Sequence, residues 1–157
     1  MNTSGYGLAR HQTATLALLL ALSATGVSAA DIKSSAAENQ AHAAAINSAI
    51  AGVNNVKDAI ARYRLHNKDF PSSNDEAAIP PPAAFATSAL KRIEVGRNGV
   101  IQATLTADSG VDDGVIIFTP AMSAQTDLNQ VDWTCTTPSY SDISDITNSL
   151  CVYSKNP

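Results

Sequence analysis

Hydrophobic positions along this chain change their period partway through. From residue 31 to residue 67 they recur at spacings of three and four: Ile46, Ala49, Ile50, Val53, Val56, Ile60 and Tyr63, with Lys57 and Arg64 on the same stripe. Such a stripe predicts one long helix with a single face to bury. Asp31 stands where it can cap the start, while Asn67-Lys68-Asp69 followed by Pro71 ends it. Gly52 and Asn54-Asn55 weaken the middle without interrupting the stripe. Upstream, Ser34 to Ala45 is rich in alanine. That composition favours helix but offers few bulky groups, so it can bury little area.

Residues 68–90 read as an irregular connection. Phe70-Pro71-Ser72-Ser73-Asn74 is turn chemistry, and Pro80-Pro81-Pro82 is extended in the polyproline manner. A short helical turn is expected from Thr87 to Leu90. From Lys91 the period becomes two. Arg92 to Val95 and Gly99 to Thr106 predict two strands joined by a hairpin at Gly96-Arg97-Asn98-Gly99. Asp108 to Gly114 is a second turn. Gly114 to Thr119 is apolar on both faces, which predicts a central strand, and Gln130 to Cys135 predicts a fourth. Antiparallel strands with one apolar face, and a helix stripe to cover it, give an α+β domain: a long N-terminal helix on a four-stranded antiparallel sheet.

The first 30 residues stand apart. Arg10 and His11 precede the apolar core Leu16 to Leu22, and Val27-Ser28-Ala29 or Ser28-Ala29-Ala30 supplies small residues for cleavage after Ala29 or Ala30. An apolar run this short does not span a bilayer; it reads as a secretory signal, leaving residues 31–157 as one domain without a membrane span. Cys135 and Cys151 agree with export. Two cysteines in an exported chain predict a disulfide, here closing a C-terminal loop. The expected location is the periplasm or the exterior.

Composition narrows the function. Charged residues are 15% and the formal net charge is -4, so bulk electrostatics do not favour nucleic acid. Lys91-Arg92 with Arg97 is the densest basic group and reads as a strand rim. His42 and His66 sit about 36 Å apart on one helix, and no Cys, His, Asp or Glu cluster has metal spacing. No serine lies in a nucleophile elbow with a His-acid partner, and no glycine-rich phosphate loop occurs. The chain is expected to be no enzyme and to need no cofactor. His66 reads as a charge partner of the helix C-terminus, and Trp133 as core packing beside the disulfide.

The ordered elements from about Val53 to Cys151 resemble the globular head of type IV pilins. Val56-Lys57-Asp58-Ala59-Ile60-Ala61-Arg62-Tyr63 looks like the helix end before that family's αβ-loop, and Asn67 to Asn74 like the loop's opening. Ile93-Glu94-Val95 and Gly99 to Leu105 look like its first hairpin. Phe118-Thr119-Pro120 is similar to the end of its third strand, and Trp133-Thr134-Cys135 with Cys151 to its disulfide-bonded D-region. The start departs from the family. Placing Gly7-Leu8 at the prepilin cut puts Gln12 where pilins carry Glu, with Arg10 and His11 among expected apolar positions. Lys33, Glu38, Asn39, Gln40 and His42 interrupt the segment that would have to sit in lipid.

The resemblance implies that the loop Thr136 to Leu150 faces outward and contacts neighbours or receptors. Tyr140, Asp142 and Asp145 are its candidate binding residues. The expected function is that of an exported pilin-like protein that binds pilin or pilus-assembly proteins and modulates assembly or adhesion. Two alternatives stand beside it. One is a divergent structural subunit of an extracellular type IV pilus, involved in cell adhesion. The other is a stand-alone secreted adhesin or DNA-binding module, since some pilin-like proteins bind DNA in competence systems.

Overall fold

The computed structural model describes residues 29–123 and 130–157. The signal segment and the Gly7-Leu8 phase lie outside them. One helix, α1, runs Ala29–Asn67, beginning two residues before the predicted start. Two compact units divide within it, after Glu38. In the first, residues 30–38 are all exposed, and Ser35 Oγ donates to the carbonyl of Ile32 at 3.1 Å. In the second, the stripe is inward: Ile46, Ala49, Ile50, Val53, Val56, Ala59 and Ile60 are buried. Each buried Ile or Val contributes roughly 1.5–3 kcal/mol of transfer free energy. No helix among the described residues is long and apolar enough to cross a membrane.

The sheet takes the strands in chain order: β1 Leu90–Val95, β2 Ile101–Leu105, β3 Val115–Met122, β4 Val131–Thr137 and β5 Val152–Tyr153. The first four are antiparallel neighbours, as expected, and β3 is central. The fifth is an addition: β5 pairs in parallel with β4 through Thr136–Val152 and Thr137–Tyr153, so the sheet is mixed. Two consecutive residues give no periodic signal, and β5 is held where the disulfide returns the chain to β4. The β1–β2 hairpin turns at Arg97–Gly99, with Asn98 at φ 57 and Gly99 at φ 72. A side chain at Gly99 would be strained by that φ and would crowd Phe70 and Pro120 at 3.2 Å.

Alternation sorts the sheet. Ile93, Val95, Ile101, Ala103, Leu105, Ile116, Phe118 and Cys135 join the α1 stripe in one core. Trp133 is half-buried at the edge of that core. Lys57, on the same stripe, places its ammonium 4.0 Å from the Phe118 ring centroid and 5.7 Å from that of Trp133. Burial pushes its pKa below the ordinary lysine value.

The connection from residue 68 to residue 89 is fastened by a residue with no sequence signal. Asn74, 5% exposed, donates through Nδ2 to the carbonyls of Pro80 (2.8 Å) and Ile93 (3.1 Å), and its Oδ1 accepts from Val95 N–H at 2.7 Å. The turn expected at Thr87–Leu90 is not helical. Thr87 Oγ1 accepts from the N–H groups of Ala89 and Leu90, and the one helical turn nearby is a 3₁₀ turn at Pro82–Phe85. Proline at its first position follows Pro81 in polyproline geometry, φ -56 and ψ 152.

Candidate functional site

The C-terminal loop is built on the expected disulfide. Cys135 of β4 and Cys151, just before β5, are bonded and both buried, with their Cα atoms 4.5 Å apart. Between them a short helix, α2, spans Ile143–Ile146. Ile143 points into the core. Thr147 Oγ1 donates to the Ile143 carbonyl at 2.7 Å and accepts from Cys151 N–H at 3.1 Å, closing the loop on itself.

The three candidate binding residues separate here. Tyr140 is turned inward at 2% exposure. Its hydroxyl lies 2.6 Å from Ser109 Oγ, in the turn between β2 and β3. It occupies space that Gly114 leaves open, since a Cβ on that glycine would stand 2.1 Å from the hydroxyl. Burial raises the Tyr140 pKa, with the Ser109 hydrogen bond opposing. Tyr140 therefore supports the loop from beneath and does not face a partner. The tyrosine's hydroxyl meets a serine 31 residues back in sequence, which no local pattern announces.

Asp142 and Asp145 lie at the surface, the first at the N-cap of α2 and the second within its first turn. Asp142 Oδ2 is 3.4 Å from His42 Nε2 on α1. The His42 ring also tilts against Tyr140, centroids 5.9 Å apart, and covers Gly110, whose φ of 81 and missing Cβ make the contact possible. His42 was not among the predicted site residues. Its place on an alanine-rich helix face gave only the hint that a larger side chain there had something to meet.

The basic group behaves as a strand rim. Lys91 Nζ bonds Asp112 at 2.7 Å and Asp113 at 2.9 Å. The hydrogen bond to Asp112 leads in raising the lysine pKa and lowering that of Asp112. A cation satisfied by two carboxylates has little left for phosphate. His66 is exposed in the last turn of α1. It borders an open groove of about 460 Å³ lined also by Arg62, Tyr63, Asn67 and Glu76. Among the described residues no group of three or more His, Cys, Asp or Glu could hold a metal ion.

A long helix whose second part covers a sheet, and a disulfide that staples a surface loop to that sheet's far edge, define a pilin-type head. Residues 43–150 match the profile of the family described as Pilin (bacterial filament), and the chain belongs to that family. No individual curated protein matches it. The match covers the buried stripe of α1, strands β1 to β4 and Cys135, and ends one residue before Cys151.

Proposed function

We propose that this pilin-family protein acts as an exported accessory, binding pilin or pilus-assembly proteins through its stapled loop and the polar start of α1. The observation that carries this reading is the character of residues 30–41: every one is exposed, and Lys33, Glu38, Asn39 and Gln40 break any apolar run. A subunit that packs a filament by that segment would need it apolar. The loop supports the same reading. Its disulfide and Tyr140 prepay the ordering cost of a surface that offers Asp142 and Asp145.

Affinity capture from an envelope extract tests it. Pilus proteins identified by mass spectrometry should be recovered with the wild-type chain and lost with Asp142→Asn/Asp145→Asn. Capture that yields none contradicts the reading. Membership of a filament family favours a second reading, a divergent structural subunit in an adhesive extracellular pilus. The mature N-terminus separates the two: a start at Ala30 or Asp31 supports the exported accessory in the periplasm or beyond, and a start at Leu8 supports the filament. Action alone as an adhesin or DNA-binding module is disfavoured by the pairing of Lys91. Salt-dependent DNA binding abolished by changes at Lys91, Arg92 and Arg97 would restore that option.

A further inference from the structure

The face of the sheet turned away from α1 carries a pattern that reads the same in both directions. Strand register sets it out in two neighbouring rows. One row holds Arg92, Thr104 and Val115 on β1, β2 and β3. The next holds Glu94, Gln102 and Ile117 on those strands and continues through Thr136 to Val152. Arg92, Glu94 and Val152 are exposed, and Gln102, Val115, Ile117 and Thr136 are half-buried.

Several of these side chains are unsatisfied within the chain. Arg92 and Glu94 have no ion-pair partner among the described residues, although Lys91 beside them has two. Thr104, 1% exposed, lies beneath this surface, and its hydroxyl makes no hydrogen bond among the described residues. Lys91 reaches from the irregularity in β1 to Asp112 and Asp113, past the end of β2, and so leaves the Arg92 guanidinium unengaged.

We infer that this face is the docking surface for a second copy of the same chain. A twofold axis lying between the two sheets, perpendicular to the strands and midway between the rows, sets each strand over its own counterpart. It exchanges the rows. Arg92 then meets Glu94 of the other copy, Glu94 meets Arg92, Val115 meets Ile117, and the Gln102 amide comes over the Thr104 row. A twofold interface must be complementary to itself, and the outer columns are: charge to countercharge and apolar to apolar. Face-to-face sheets tolerate the twist this requires, packing within about 30° of aligned. The patch takes two positions on each of β1, β2 and β3 and one on each of β4 and β5. It is therefore an interface of the weak, concentration-dependent class, below the roughly 800 Å² per partner of a stable complex.

Sedimentation velocity on the full chain as exported, from about 10 μM to 1 mM, reads the equilibrium in the range such small interfaces occupy. Dimer should grow with concentration and recede with added salt. Arg92→Glu places four acids at the contact and Glu94→Arg four cations. Each should weaken association by at least about tenfold. Mixing the two variants should restore a heterodimer, and the doubly exchanged R92E/E94R chain should return to within about threefold of wild type. Circular dichroism confirms that each variant is folded. A chain monomeric at every concentration overturns the inference, as does a dimer indifferent to the single changes or a mixture that fails to recover. Binding of a different pilus protein to this face by a monomeric chain also overturns it. The result is separable from the proposed function, whose variants lie in the stapled loop.

Discussion

Two irregular segments of this protein are fixed by opposite means. The connection from residue 68 to residue 89 is held by one buried amide, Asn74, which makes two hydrogen bonds to β1 and a third to Pro80 within the connection. The loop between Cys135 and Cys151 is held by a covalent bond, a buried tyrosine and the inward Ile143. The first lies wholly inside the chain's run from helix to sheet, with its ends set by α1 and β1. The second runs from β4 to the two-residue β5 at the sheet's edge. A segment anchored at both ends needs orientation, which hydrogen bonds supply. A loop that returns only to a two-residue strand gains further from a cross-link, which reduces its unfolded entropy.

The largest effect that tests this contrast is the loss of Tyr140. Tyr140→Ala should lower unfolding free energy by about 3–5 kcal/mol, since it opens a cavity and removes one of the hydrogen bonds of Ser109. Chemical denaturation measures it. Replacing both cysteines by serine should cost about 3 kcal/mol, appropriate to a loop of this length, and should raise hydrogen exchange in residues 136–150 before it does so in the core. Asn74→Ala leaves the Val95 N–H and two carbonyls without their partner. It should cost about 2–3 kcal/mol, with exchange rising in residues 68–89 and not in the stapled loop. If both replacements loosened both segments alike, the contrast would dissolve into one cooperative unit.

The smallest effects are in pH dependence, and their signs differ. Burial depresses the folded pKa of Lys57 below 10.5. In that window the unfolded chain binds more protons, so stability rises with pH. Burial raises the folded pKa of Tyr140 above 10.0. There the native state holds its proton longer, and stability falls as pH climbs further. Lys57→Met should flatten the rise, and Tyr140→Phe should remove the fall. Thermal midpoints between neutral and strongly alkaline pH follow both.

How far the sequence foretold this follows the same division. Periodicity carried the helix stripe, the hairpin and the four antiparallel strands, because each is written in neighbouring residues. Paired cysteines behind an export-type start carried the staple. What lay beyond reading was decided at a distance. Tyr140 turns inward because Gly114 lacks a Cβ and Ser109 offers a hydroxyl. Asn74 sits in an ordinary turn sequence, and only its fit to the carbonyls and N–H of β1 makes it a strut. The exposed pair Asp142 and Asp145 was anticipated as surface. The partner that holds Asp142, His42, was not.

The staple has a mechanical corollary. A chain pulled from the start of α1 to its C-terminus can pay out length only where it is not cross-linked. The 16-residue separation of Cys135 and Cys151 shortens the extended thread by about 50 Å. Under tension, β5 would peel first, and the bridge would then pass the load directly onto β4. A pilin-family protein under tension would in this way keep its stapled loop shaped until the sheet itself gave way.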